Sequence, residues 1–170
     1  MAQGQALSLF TRLYTEIEAP RLMDAAEATF ASFERFLNDG AKPWTVLVDN
    51  EGYLWLEEYP TPDADHHAFN GHNFAVYGLY DYYLLTGDAL EELKGAVTTV
   101  LRYFDDYRNP DGPSYYELRF GVTDEKYHAI HIKQLATLAS ITGDDRFAKM
   151  SEILICDLPP DLEMLEGLSC

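Results

Sequence analysis

Three times along this chain a helix-like stretch stops, two or three turn residues follow, and a second helix-like stretch begins. YTEIEAPRLMDAA (Tyr14–Ala26), LLTGDALEEL (Leu84–Leu93) and SITGDDRFAKM (Ser140–Met150) carry these junctions. Two amphipathic helices joined by a short turn bury their apolar stripes against each other, so each junction predicts an αα-hairpin. Hairpins repeated along a chain curl into a toroid or solenoid. The expectation is a mainly α protein: an (α/α) toroid or barrel of about three helical hairpins, with a short β-hairpin and extended cleft-lining segments between them.

Apolar spacing places the elements. Ala6, Leu9, Phe10, Leu13, Tyr14 and Ile17 predict a helix over Ala2–Ile17, although Gln3, Gly4 and Gln5 are unusual at the start of an amphipathic helix. Pro20 suits a first helical turn, and Leu22, Ala26, Phe30, Phe33 and Leu37 continue a second helix to Asn38–Gly40. WTVLV, the turn Asp49–Gly52 and YLWLEEY predict a β-hairpin, after which Pro60 to Asp63 break regular structure. Ala68–Leu85 is apolar on most faces, as a central helix would be. Asp88 can cap a helix over Ala89–Tyr107. Asn109–Pro113 is a turn cluster, YYELRF (Tyr115–Phe120) reads as extended, and Tyr127–Ile141 and Asp144–Ile155 are the last two helices. Residues 1–157 are expected to be one domain, with 158–170 a loosely packed tail, Pro- and acid-rich from Asp157 onward.

Composition narrows the partners. A net charge of −17 argues against nucleic acid and anionic membranes, both of which need basic surface, and disfavours long-range capture of any polyanion. The two cysteines, Cys156 and Cys170, imply no disulfide framework and fit a reducing compartment. No apolar run of about 18 residues suggests a membrane span. The start, MAQGQALSLF, lacks a basic n-region and does not read as a signal peptide, so a cytoplasmic location is expected.

Twelve tyrosines need hydrogen-bond partners when buried, and several fall into clusters with charged residues. Glu57-Glu58-Tyr59-Pro60 ends the second strand of the hairpin. Tyr115-Tyr116-Glu117-Leu118-Arg119 lies in the extended segment, where Tyr115, Glu117 and Arg119 would point one way. Tyr127, His128, His131 and Gln134 open a helix whose Tyr127, His131 and Gln134 share one face. A helix N-terminus favours anions, so a phenol, an imidazole and free N–H groups could meet an anionic group there. Asn70-Gly71-His72 opens the central helix between these clusters. A phenol, a guanidinium and carboxylates in one cleft suggest proton abstraction next to a carboxylate. A tyrosine with a pKa near ~10 is a poor base at neutral pH, so a nearby Arg or protonated His would have to lower it. Taken singly, a tyrosine on a helical or strand face usually fills a core edge and hydrogen-bonds locally, and Glu57 and Glu58 alone could be a solvated strand end. His66-His67 and His128/His131 have no carboxylate at matching spacing beside them, so no metal is expected.

Four motifs occur in order, LEEYP, FNGHNFAVYGLYDYY, YYELRF and YHAIHIKQL, after an opening AQGQALSLFTRLY. In that order and spacing the sequence resembles the C-terminal domain of the D-glucuronyl C5-epimerases over nearly its whole length. The resemblance implies a helical (α/α) barrel and inversion at C5 of a hexuronic acid within a glycan, with no cofactor. It implies Glu58, Tyr59, Tyr116 and Tyr127 as catalytic groups and Arg119 as the contact for the uronate carboxylate. Asn70, His128, His131 and Gln134 would be supporting polar groups for substrate. The implied partner is a uronic-acid-containing oligo- or polysaccharide, with a homodimer or a partner chain supplying the rest of the barrel wall. Two other readings stay open: a uronate lyase, which begins with the same C5 proton abstraction, and a non-catalytic carbohydrate-binding or interaction module.

Overall fold

The computed structural model describes residues 1–61 and 66–160. Its contacts gather into two compact units: Met1–His67 with Gly71–Val100, and Ala68–Asn70 with the chain from Leu101 onward. Among the described residues there are six helices and one two-stranded antiparallel sheet, so the fold is mainly α.

In the first unit, α1 (Ala2–Ile17) and α2 (Pro20–Phe30) form the first hairpin. Glu18 ends α1 in the left-handed region (φ 52°), and its N–H donates to the Tyr14 carbonyl at 2.8 Å. Ala19 is extended before Pro20, as the proline ring requires. The α3 helix (Phe69–Thr86) explains the odd AQGQ start. A Cβ on Gly4 would lie 2.7 Å from the Phe74 carbonyl oxygen and 2.9 Å from the Ala75 nitrogen, and one on Gly78 would lie 2.9 Å from the Gly4 Cα. The backbones of α1 and α3 therefore touch, which only residues without a side chain permit. Further along the same seam, Ser8 Oγ and Arg12 Nε (2.8 Å) both donate to the Asp81 carboxylate. Leu7, Ala26, Phe33, Val46, Trp55, Val76 and Leu79 are buried in this unit's core, and Phe30 stacks on Tyr82 at 4.7 Å.

The second expected helix stops eight residues early. After Phe30 come short 3₁₀ turns over Ala31–Glu34 and Leu37–Asp39. The sheet takes this segment's hydrogen bonds away from the helix. The Arg35 carbonyl accepts from the N–H groups of Thr45 and Val46, and Asn38 bonds both the N–H and the carbonyl of Val48 (2.8 and 2.9 Å) like a short extra strand. Strands β1 (Val46–Val48) and β2 (Leu54–Leu56) pair antiparallel, with Leu47 opposite Trp55. Asp49 builds the turn between them: one oxygen accepts from the N–H groups of Glu51 and Tyr53, and the other from the Trp55 indole at 2.8 Å. Residues 62–65, on which part of the expected Pro-rich break falls, lie outside the described residues. The α4 helix (Leu90–Tyr107) is preceded by Ala89 at φ 70°, whose carbonyl accepts the Leu93 N–H, so Ala89 and not Asp88 holds the cap position.

In the second unit, α5 (Glu125–Thr142) and α6 (Asp145–Asp157) form a hairpin closed by Gly143 at φ 69° and by Asp144, which accepts the Arg146 N–H. Ile132, Leu135, Leu138, Phe147 and Leu154 fill its core. Asp157 closes α6 as its last residue. Arg108 grips that carboxylate at 2.6 and 2.8 Å and holds its pKa below the usual value. Residues 161–170 of the expected tail lie outside the described residues.

Candidate active site

In the first unit, β2 leads out to Glu57. Its N–H donates to the Thr45 carbonyl at 2.8 Å, and the chain bends at Glu58 and Tyr59. This turn releases two neighbours from the opposite-facing geometry of a strand. Glu57 is not a solvated strand end. It is buried, one carboxylate oxygen lies 2.5 Å from His67 Nδ1, and the other has no hydrogen-bond partner among the described residues. His67, at φ 51°, stacks on Trp55 at 3.9 Å. Glu58 is half-buried against Gly71: a Cβ there would lie 2.8 Å from the Glu58 Cβ and 3.0 Å from its Cδ. Tyr59 is 42% exposed, its ring 5.5 Å from that of His66. Behind them His72 pins the strand. Its Nδ1 accepts the Leu56 N–H at 3.2 Å and its Nε2–H donates to the Ala96 carbonyl at 3.0 Å. Burial pushes the His72 pKa down to about 4, so it is a neutral staple.

In the second unit, the segment from Ser114 to Glu117 is clamped from both sides. The Tyr116 N–H donates to the Val122 carbonyl at 2.7 Å, and the Tyr116 carbonyl accepts the Phe69 N–H at 2.9 Å, satisfying one of the orphan donors that open α3. YYELRF does not continue as extended chain. The buried Glu117 carboxylate accepts from the N–H groups of Arg119 and Phe120 (3.1 and 2.8 Å) and folds the chain into a turn. Tyr115, Glu117 and Arg119 thus do not share one strand face. Arg119 is exposed, with its guanidinium 5.1 Å over the Phe120 ring.

The clamp brings Tyr116 to Tyr127, in the first turn of α5, with ring centroids 4.5 Å apart and planes tilted by 56°. The N–H groups expected to meet a ligand anion at that helix end are partly taken. Asp124 caps the helix, accepting from Lys126 and Tyr127 at 2.8 and 3.3 Å.

Deeper on α5, His131 and Gln134 are buried and reach back toward the start of α3. The Gln134 Nε2 donates to the Asn70 carbonyl at 3.0 Å, and the His131 ring packs on Phe69 at 4.7 Å. Ser114 joins the two histidines. Its N–H donates to His128 Nδ1 at 2.9 Å, and its Oγ lies 3.0 Å from that nitrogen and 2.8 Å from His131 Nδ1. His128 Nε2–H donates to the carbonyls of Leu154 and Leu158, so both its nitrogens hold the loop and the end of α6 in place. Burial pushes the His131 pKa down to about 3. It is therefore uncharged at neutral pH and supplies no positive charge to a phenol.

The expected residues fall into two groups. Glu58 and Tyr59 sit at the strand exit of the first unit. Tyr116, Tyr127, Arg119, Asn70, His128, His131 and Gln134 are gathered in the second. Sequence reading missed Ser114, the structural use of Glu117, and the Glu57–His67 pair, since each depends on a partner distant in the chain or on a turn made by a side chain. No group of three or more His, Cys, Asp or Glu able to hold a metal occurs among the described residues, and no described helix is long and apolar enough to cross a membrane.

The described residues define a mainly helical protein in which segments joining the regular elements of each unit carry tyrosine and carboxylate side chains. Residues 1–154 match the family model of the D-glucuronyl C5-epimerase C-terminus, and the chain belongs to that family. It is also 25% identical over 173 residues to a D-glucuronyl C5-epimerase of Caenorhabditis elegans, covering 89% of this chain and 27% of that protein. The chain thus spans about a quarter of the curated relative's length.

Proposed function

We propose that this chain carries the acid–base groups of a carbohydrate isomerase that inverts C5 of a hexuronic acid, of the glucuronate-to-iduronate type, within a glycan. Membership of the epimerase family supports the reaction class, and the observation that carries the site is the Tyr116–Tyr127 pair beside the Arg119 turn. The C5–H bond lies next to a carboxylate. When it breaks, its electron pair moves into the carboxylate carbon to give an enediolate, and the proton passes to a phenolate or carboxylate base. A second group returns a proton to C5 from the opposite face. Nothing is oxidised or reduced, so the balance requires no redox partner.

Tyr116 and Tyr127 are the second unit's proton-transfer groups, and Glu58 and Tyr59 are the first unit's. Arg119, always charged, takes the growing charge on the carboxylate. Asn70, His131 and Gln134 support the sugar, and His128 acts through the Ser114 loop. The same reading takes the hairpins as part of an (α/α) toroid that a homodimer or a partner chain completes. Light scattering showing only monomer at high concentration would remove the homodimer.

The test is incubation with heparosan oligosaccharides, with products read by NMR and ultraviolet absorbance. Iduronate ring signals that disappear in Tyr127→Phe support the proposal. An ultraviolet-absorbing unsaturated product would replace it with elimination of the C4 substituent. Binding without any turnover would replace it with a non-catalytic binding module.

A further inference from the structure

Gly71 has no conformational need to be a glycine. It lies in the first turn of α3, and its φ is outside the left-handed region. Alanine forms helix more readily at such a position. What the glycine supplies is space. A Cβ here would lie 2.8 Å from the Cβ and 3.0 Å from the Cδ of Glu58, with the carboxylate oxygen Oε2 nearer still. The Glu58 side chain therefore lies along the open face of Gly71.

The surrounding backbone has little room to retreat. His72, the next residue of α3, accepts the Leu56 N–H at 3.2 Å and donates to the Ala96 carbonyl at 3.0 Å, so it staples the helix start to β2 right beside Gly71. On one side of Glu58 the Glu57 N–H is held by the Thr45 carbonyl at 2.8 Å. On the other side the Thr61 N–H donates to the Tyr59 carbonyl at 2.8 Å. The Cδ and carboxylate of Glu58 can swing away by side-chain rotation, but its Cβ moves only with this fixed backbone. A methyl at residue 71 must either pull the staple apart or drive the Glu58 carboxylate from its place.

We propose that Gly71 is a positioning residue: its missing side chain seats the Glu58 carboxylate and aims it for proton transfer at C5. The seat stands on the geometry, and its use in catalysis rests on the proposed function. The other glycines within this unit's described helices serve different ends. Gly4 and Gly78 allow the crossing of α1 and α3, and Gly95 meets the Leu54 side chain. Gly71 meets a carboxylate. A carboxylate free to sample several rotamers spends only part of its time within reach of the proton it takes, and a seated one avoids that loss.

The experiment has two arms. The first is a stability cycle of Gly71→Ala, Glu58→Gly and the double variant, by urea unfolding without substrate. Gly71→Ala should lower the unfolding midpoint in the wild type and not in Glu58→Gly, where the clashing side chain is gone. A Gly71→Ala chain that folds only in the Glu58→Gly background gives the same answer. Equal losses in both backgrounds overturn the seat. The second arm follows C5 hydrogen exchange in D₂O by NMR, with glucuronate- and iduronate-containing oligosaccharides. An inversion that removes and returns the proton with separate groups, and loses one of them, stops exchange from one epimer while the other still exchanges without inverting. Gly71→Ala should show this one-sided pattern on the same epimer as Glu58→Gln, with inversion slowed on the order of 100-fold. Equal slowing of both epimers, or full activity, overturns the positioning role. Normal exchange by Glu58→Gln, or none by the wild type with any uronide, refutes the functional reading and the catalytic use with it, and the stability cycle then decides the seat by itself.

Discussion

His72 in the first unit and His131 in the second are buried imidazoles with pKa values pushed from 6.5 to about 4 and about 3. Burial is the dominant cause in both. Unfolding returns each ring to water, where it binds a proton below about pH 6.5. The unfolded chain therefore takes up more protons than the folded one, and stability that is present above pH 6.5 is lost as the pH falls toward 4. At pH 5 both rings are still neutral in the folded protein and charged in the unfolded one. The loss between pH 7 and pH 5 is consequently set by the unfolded-state pKa alone, close to 2 kcal/mol per histidine and about 4 kcal/mol for the pair. Urea unfolding at several pH values measures it. Both tryptophans, Trp44 and Trp55, lie in the first unit, so their fluorescence reports the unit that holds His72, while circular dichroism reports both. His72→Gln and His131→Gln should each flatten the pH dependence by about 2 kcal/mol, whatever stability each variant loses at pH 7. A variant that keeps the full wild-type slope would refute the assignment of that histidine as buried and neutral. Asp144 and Asp157, whose carboxyls are held low by Arg146 and Arg108, act in a separate window below the ordinary carboxylate pKa.

Gly78→Ala should lower stability, because the new methyl meets the Gly4 backbone, which cannot step aside. Gly95→Ala gains the same helix propensity but meets the movable Leu54 side chain at 3.2 Å. Gly78→Ala should be less stable than Gly95→Ala by about 1–3 kcal/mol in chemical denaturation, and equal stabilities would contradict the backbone contact. Asp124→Ala should cost about 1 kcal/mol through loss of the α5 cap, read in the same assay. Asp49→Ala removes the acceptor of three hydrogen bonds at the hairpin turn and should cost about 2 kcal/mol, with a change in tryptophan fluorescence as the Trp55 indole loses its partner. Tyr127→Phe should abolish turnover while leaving the unfolding midpoint within about 0.5 kcal/mol of wild type. A fully active variant would remove Tyr127 from the chemistry.

The helices were legible because their apolar spacing is local. Ala2–Ile17 has the expected limits, and the others lie within a residue or two, apart from α2. The helix expected to reach Asn38–Gly40 ends at Phe30 because Arg35 and Asn38 are recruited by the β-hairpin, a tertiary competition that periodicity does not encode. YYELRF folds back because one buried side chain, Glu117, caps a turn. The polar clusters were visible as residue types, and Tyr116, Tyr127, Asn70 and Gln134 could be named from the motifs. Their pairing was not visible, since Ser114 serves His128 and His131 through contacts that only packing creates. Gly4 carried a signal, an out-of-place glycine in a helix, and its reason is the close crossing with α3.

The proposed reaction begins with abstraction of the C5 proton of a hexuronic acid. The most direct measurement is incubation of the protein with heparosan oligosaccharides in D₂O, followed by NMR for deuterium at C5. C5 proton transfer should place deuterium at C5 of both glucuronate and newly formed iduronate, with loss of exchange in Tyr127→Phe. Oligosaccharides that bind, yet keep their C5 hydrogen through prolonged incubation, would contradict it.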